Sequence, residues 1–253
     1  MTLSSTTSPS HEWQKNGDRY ARLTENFCAT ARQIALRTGK PMPEMTFYVG
    51  AEQTQALLRE LSQSTFGRDC AAFHRQNQIV TLYVDDKRQP GGMNGMYDDD
   101  SRGVVIAANR HASTRECALT LGHEIIHGEQ TKVFGPINRF GGRGRAVDMG
   151  YRILREASAL AGETILTAEL KAADQGRQVA PQEFFPLARE VFLNVTTNKE
   201  WTQYAMNNAM TAEDFAALRP SPLHFICSAL GSKHVRQYAR ANGGNYLRTT
   251  DLW

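Results

Sequence analysis

Residues 119–130 have the sequence LTLGHEIIHGEQ, which contains the pattern HExxH from His123 to His127. Residues four apart lie one above the other on a helix face, so both imidazoles can bind the same Zn²⁺. Glu124 then lies beside the metal, where its carboxylate can take a proton from a metal-bound water. The pattern therefore predicts a helix with a catalytic metal site, in which His123 and His127 are metal ligands and Glu124 is the general base.

The residues around the pattern also favour a helix. Ser113 and Glu116 have the spacing of a capping box, which predicts that the helix begins ten residues before His123. Gly128 predicts that it ends just after the second histidine. At about 100° per residue, the apolar side chains fall on one side, opposite His123, His127, Glu124, Thr120 and Glu116. The alternative is two ordinary surface histidines on an amphipathic helix.

Composition limits the class of protein. The chain has 253 residues, of which 41% are apolar and 22% charged, as in an ordinary globular protein with one sizeable core. A net charge of +3 is too small to indicate a nucleic-acid partner. No apolar run reaches membrane-spanning length, and the N-terminus lacks a cleavable signal. We therefore expect no membrane partner, and a location that is cytoplasmic or exported without a cleavable signal peptide.

The cysteines argue for a reducing compartment. The four are widely scattered and form no CxxC pair, so the sequence predicts free thiols rather than a cysteine zinc site. They are Cys28, Cys70, Cys117 and Cys227.

Hydrophobic periodicity predicts an α+β fold. A disordered N-terminal segment, 1–17, precedes a single domain, 18–253. The N-terminal half is predicted to contain helices at 18–37 and 52–61, strands at 45–49, 79–84 and 103–108, and a loop at 87–102. The strand 79–84 alternates apolar and polar residues, which predicts burial on one face only.

The C-terminal half is predicted to be mostly helical. A glycine- and arginine-rich loop at 129–147 precedes a long helix at 148–173, and shorter helices make up a C-terminal part at about 181–253. The predicted architecture is a small three-stranded sheet packed on the HExxH helix. The strand nearest the metal could pair with an extended peptide.

A catalytic zinc requires a third protein ligand. The extended pattern HExxHxxGxxH fails, because Gln130 and Val133 stand where glycine and histidine are needed. A carboxylate from the helix 148–173 is the remaining common solution. Glu156 lies on the shoulder of the apolar arc of this helix, and Glu163 lies on almost the same face but further towards solvent. Glu156 is the favoured ligand, Glu163 is the alternative, and either residue can be an ordinary surface glutamate.

The segment 119–130, followed by Arg155-Glu-Ala-Ser-Ala-Leu-Ala161, resembles the short bacterial zincins of the gluzincin type. It is most similar to uncharacterised metallopeptidase families in which HExxHxxQ precedes a helix with the pattern E-A-x-A. The resemblance covers about residues 119–162. HEIIH also occurs in injected bacterial effector proteases, which is a looser similarity.

This resemblance implies a zincin-like fold, with zinc bound by His123, His127 and Glu156 and with Glu124 as the base. Ser158 stands where an acidic residue is common in these families, which leaves open what replaces the contact of that acid. The expected function is a zinc-dependent metallopeptidase with a protein or peptide substrate. The alternative is a non-catalytic binding or regulatory protein on the same fold, including an exported bacterial effector. Candidate donors to the oxyanion are Tyr151, Tyr204, His224 and His234, none of which the spacing singles out.

Overall fold

A computed structural model describes residues 11–86, 93–134, 145–180 and parts of 183–191. These residues form five α-helices: α1 (His11–Thr38), α2 (Ala51–Leu61), α3 (Thr65–Gln76), α4 (Thr114–Phe134) and α5 (Arg145–Ala173). They also form four strands: β1 (Met45–Tyr48), β2 (Val80–Asp86), β3 (Gly95–Asp98) and β4 (Gly103–Ala107). Within these ranges, no helix combines the length and apolar character needed to cross a bilayer.

The strands form one mixed sheet in the order β1-β2-β4-β3. β1 is antiparallel to β2, β2 is parallel to β4, and β3 is antiparallel to β4. The α+β class is confirmed, but the prediction of three strands is wrong. β3 lies inside the segment 87–102, where the sequence predicts a loop, and its pairing with β4 makes it a strand.

The chain divides into two compact units. The first contains the described residues of Met1–Ser62 and Cys70–Gly128, and the second those of Gln63–Asp69 and Glu129–Trp253. Of the three boundaries, one falls between α2 and α3, one inside α3 and one inside α4. The single domain at 18–253 stays a prediction.

In the first unit, α1 packs on one face of the sheet. Tyr20, Leu23 and Phe27 of this helix are buried against alternate residues of β2 and β4, which include Leu82 and Val105. α1 begins at His11 rather than near residue 18, and its backbone leaves helical geometry at Asn16. It ends at Thr38, and Gly39 follows with a φ of +65°, a conformation that favours glycine, so the predicted end is confirmed.

The other face of the sheet is also covered, so the prediction that β2 is half-buried is wrong. Thr81 and Tyr83, which alternation assigns to solvent, are buried. The Thr81 hydroxyl lies 3.0 Å from Nε2 of His74, and the Tyr83 ring stacks on Tyr48 with centroids 5.5 Å apart. A strand that is covered on both faces can be apolar throughout, and a polar side chain within it needs a partner.

α4 begins where the capping box predicts. The backbone N–H of Glu116 donates to the Ser113 hydroxyl over 3.2 Å, and the Glu116 carboxylate accepts from the N–H of Ala112 over 2.7 Å. The predicted end at Gly128 is wrong, because the helix continues to Phe134. A Cβ on Gly128 would lie 2.9 Å from Cε2 of Tyr97. The missing side chain makes room for this ring rather than ending the helix.

In the second unit, α5 begins at Arg145, three residues before the predicted start, and ends at Ala173 as predicted. The predicted loop at 129–147 is shorter at both ends, since Glu129–Phe134 belongs to α4 and residues 145–147 belong to α5. Residues 135–144 and the helices predicted after residue 191 lie outside the described residues. α3, which was not predicted, begins after Ser64, whose hydroxyl accepts from the N–H of Gly67 over 2.9 Å.

Candidate functional site

His123 and His127 lie in the middle of α4, one helical turn apart. Their ring centroids are 4.9 Å apart with the planes at 78°, and one ring nitrogen of each lies within 4.8 Å of the other. Two imidazole nitrogens at this separation can approach the same ion after small rotations of the rings, because each Zn–N bond is about 2.0–2.1 Å long. The helix therefore brings together the two predicted histidine ligands.

The polar residues of the HExxH segment are buried or half-buried. Glu124 and His127 are only 6% and 7% exposed, and His123 is half-buried. The alternative of two ordinary surface histidines therefore does not fit His127. Burying a carboxylate is costly unless it is paired or bound to a cation. A buried carboxylate next to two imidazoles on one helix could act on a water molecule if a cation were bound there.

Glu124 lies against the start of β3. A Cβ built on Gly95 would be 2.8 Å from Oε1 of Glu124 and 2.9 Å from Cγ2 of Thr120. Real side chains do not approach this closely, so the carboxylate occupies its place only because Gly95 has no side chain. The sequence does not point to Gly95, because a single glycine in a glycine-rich segment carries no signal that distinguishes a close approach from a turn.

β3 also forms one edge of the sheet in the described part of the chain, whereas β4 lies between β2 and β3. Of the predicted strands, Gly103–Ala107 was the one closest in sequence to the HExxH helix. Because β4 is internal, both of its edges are already paired. The strand that combines a sheet edge with a position beside Glu124 is β3.

The predicted third ligand lies in the second unit, on α5. Glu156 is half-buried, and so is its alternative Glu163. Glu169 is buried, and its Oε2 accepts from the backbone N–H of Phe66 over 2.7 Å at the start of α3. This bond gives Glu169 a structural role. Of the predicted oxyanion donors, Tyr204, His224 and His234 lie outside the described residues, as does the side chain of Tyr151.

A buried hydrogen-bond network joins the last turns of α4 to α5. Nε2 of Gln130 donates to the carbonyl of Arg155 over 3.0 Å and to the hydroxyl of Ser158 over 2.6 Å. Nε of Arg155 donates back to Oε1 of Gln130 over 3.1 Å, and its Nη2 donates to the Thr131 hydroxyl over 3.0 Å. Gln130 and Ser158 are both fully buried. Ser158 therefore has a partner of its own in this network.

The described cysteines are free thiols, as predicted, and all three are buried: Cys28, Cys70 and Cys117. Cys117 lies on α4 and is the one nearest in sequence to the HExxH residues. Burial raises the pKa of its thiol to about 11. A thiol with this pKa stays protonated near neutral pH, so Cys117 is unsuited to act as a nucleophile. Cys227 lies outside the described residues.

Comparisons of the chain with protein-family models, with curated proteins and with solved structures find no match. The function is therefore inferred from the residues of the site and from their geometry.

Proposed function

We propose that this chain is a zinc-dependent metallopeptidase in which His123, His127 and Glu156 bind Zn²⁺ and Glu124 is the general base. The observation that carries the proposal is the pair of imidazoles on α4, with one nitrogen of each within 4.8 Å of the other, next to a buried carboxylate. Two neutral nitrogens and one carboxylate make a ligand set that suits zinc and leaves a position for water.

Bound zinc would polarise the scissile carbonyl and make a water molecule acidic enough to attack near neutral pH. Glu124 would take a proton from the attacking water and deliver it to the leaving amine. Its burial keeps competing water away from the carboxylate, and Gly95 permits the carboxylate to lie where it does. Proton transfer by a positioned carboxylate typically contributes about 10²–10⁴-fold to a rate.

The position of the Gln130–Arg155 hydrogen bond along α5 favours Glu156 as the third ligand. Gln130 lies three residues after His127 on α4, and its side chain binds the carbonyl of Arg155, the residue directly before Glu156. Glu163 lies two turns further along α5 from this bond. Ala157, Ala159 and Ala161 are fully buried, and small side chains permit helices to pack closely. These features favour Glu156 over Glu163.

The proposed substrate is an extended peptide that pairs with the edge of β3. An exposed sheet edge offers backbone N–H and C=O groups at the spacing that an extended chain needs. β3 is half-buried along its whole length, and its first residue lies against Glu124. A peptide paired with β3 would therefore place a carbonyl near the base.

The test compares the wild type with Glu124→Gln. Both proteins are assayed for zinc by elemental analysis and for cleavage of an unfolded protein substrate. We expect about one zinc per chain in both, as three ligands and one open position imply, and cleavage by the wild type alone. Glu52→Gln is the matched control, since it makes the same change at an exposed position on α2 and should cleave like the wild type.

A wild type that carries zinc but cleaves no more than Glu124→Gln would favour the alternative, a non-catalytic binding or regulatory protein on this fold. A wild type that binds no zinc would overturn the proposal.

A further inference from the structure

We infer that Gln130 is a positioning residue for the metal site, because its side-chain amide fixes the part of α5 that carries Glu156. The inference rests on the proposed function and assigns a role to a residue outside the proposed ligand set. Gln130 is fully buried and lies three residues after His127 on α4. It is therefore on the same helix as the proposed histidine ligands and cannot itself reach solvent.

Three hydrogen bonds of the amide join residues on both sides of the proposed ligand. Both hydrogens of Nε2 are used, one on the carbonyl of Arg155 and one on the hydroxyl of Ser158. Oε1 accepts from Nε of Arg155. These partners lie one residue before and two residues after Glu156. The register of α5 beside Gln130 therefore determines the position of the Glu156 side chain.

The bonds are selective for this register. A shift of α5 by one residue would put either Glu156 and Ala159 or Leu154 and Ala157 in place of Arg155 and Ser158. Neither pair reproduces the side-chain contacts that Arg155 and Ser158 make with Gln130. Such a shift would leave buried donors and acceptors unpaired, which costs more than the bonds themselves contribute. The Ser158 hydroxyl also donates to the Arg155 carbonyl over 3.1 Å, so the same three groups are bonded to one another. Closed networks of this kind hold a backbone segment in one arrangement.

The affinity of a metal site depends on the groups that hold its ligands in position. Partners that orient a ligand typically contribute about 10–100-fold to metal affinity. A leucine at position 130 has nearly the volume of glutamine but makes none of the three bonds. The variant should keep α4 intact but allow the segment around Glu156 to shift. The affinity for zinc should then fall, and the coordination geometry of the bound metal should change.

The experiment measures zinc affinity by competition with a chelator, and the visible absorption of the Co²⁺-substituted protein, for the wild type and Gln130→Leu. We expect Gln130→Leu to bind zinc about tenfold more weakly, and its cobalt spectrum to change in the direction of that of Glu156→Ala. Gln76→Leu is the matched control: it makes the same change at an exposed position on α3 and should resemble the wild type in both measurements.

Ser158→Ala covers the case in which Gln130→Leu does not fold. It removes one of the three Gln130 bonds, together with the Ser158–Arg155 bond, and leaves the Gln130–Arg155 pair. It should weaken zinc binding by about threefold, in line with the loss of one buried hydrogen bond of Gln130. If Gln130→Leu folds and binds zinc and cobalt like the wild type, the inference is overturned while the proposed function stands. If Gln130→Leu does not fold, an unchanged Ser158→Ala overturns it and a weakened one supports it. A wild type without zinc affinity would overturn the proposed function and the inference together.

Discussion

Replacing Gly95 by alanine tests whether the position of the Glu124 carboxylate determines the rate. The new Cβ would lie 2.8 Å from Oε1 of Glu124, 3.0 Å from its Cγ and 2.9 Å from Cγ2 of Thr120. The φ of Gly95 lies outside the left-handed region, so alanine meets no backbone strain there. The methyl group therefore acts by displacing its neighbours. Glu124 is the longer and more flexible of the two, so its carboxylate moves.

The size of the effect follows from these distances. An ordinary van der Waals contact begins at 3.4 Å, so the carboxylate must retreat by about half an ångström or more. A displacement of about 1 Å in a catalytic group can cost about 10²-fold in rate. We expect kcat/KM to fall by about 10–100-fold. Zinc content should not change, because the three atoms nearest to the new Cβ belong to Glu124 and Thr120, neither of which is a proposed ligand.

The assay is cleavage of an unfolded protein substrate, with zinc content and thermal stability measured on the same samples. Gly103→Ala is the matched control on the neighbouring strand β4. Its Cβ would lie 2.7 Å from Leu23 and 2.9 Å from Val80, in the core and away from Glu124. Overpacking of this kind costs about 1–3 kcal/mol of stability, so Gly103→Ala should melt earlier but cleave normally while folded.

Full activity in a folded, zinc-loaded Gly95→Ala would refute the reasoning, since the rate would then not depend on where the carboxylate lies. Equal losses of activity in both variants would also count against it, because they would point to general loosening of the sheet. Only a loss confined to Gly95→Ala links the strand to the base.

Three further predictions concern protonation, reactivity and the third ligand. Burial lowers the pKa of His74 to about 4, so on acidification the unfolded state binds the proton first. Lowering the pH from about 6.5 to 4 should therefore remove about 3 kcal/mol of the free energy of unfolding. Denaturant titrations across this pH range measure the loss. Cys117, with a pKa of about 11, should be alkylated at pH 8 about 100-fold more slowly in the native protein than after unfolding, as peptide mapping would show. Glu156→Ala should lower zinc content more than Glu163→Ala, by elemental analysis.

Each of these has a control. In His74→Gln, which can still bond to the Thr81 hydroxyl, the loss of stability between pH 6.5 and 4 should be smaller; an unchanged loss would assign the effect to other groups. Equal alkylation rates for native and unfolded protein would mean that the Cys117 thiol is accessible. Greater zinc loss in Glu163→Ala than in Glu156→Ala would move the third ligand to Glu163.

Sequence predicted the elements whose causes are local. The start of α4 follows from Ser113 and Glu116, and their hydrogen bonds join residues three or four apart. The end of α1 before Gly39 is also local, since it depends on the conformation of one residue. In both cases the cause lies within one helical turn of the residue it affects. The HExxH spacing is of the same kind, because the helix alone brings the two imidazoles together.

Elements with distant causes were not predicted. β3 contains glycine and aspartate, which are poor strand formers, and it is a strand because β4 pairs with it. The first turn of α3 is bonded to the Ser64 hydroxyl and also to Glu169, which lies 103 residues later in the chain than Phe66. In the sequence, Gln130 is a departure from one zinc pattern and the last residue of another, HExxHxxQ, and neither pattern shows what its side chain binds. Its partners lie on another helix, and no local rule connects them.

The two glycines at the site explain how β3 and α4 come close enough to act together. Gly95 and Tyr97 lie two apart on β3 and face the same side, whereas Glu124 and Gly128 lie four apart on α4 and share one face. Glu124 fills the space left by Gly95, and Tyr97 fills the space left by Gly128. β3 and α4 thus each contribute one glycine and one large side chain, and the large side chain of each lies against the glycine of the other. This complementarity fixes the spacing between the sheet edge and the proposed base, so a peptide bound along β3 would be held at a set distance from Glu124.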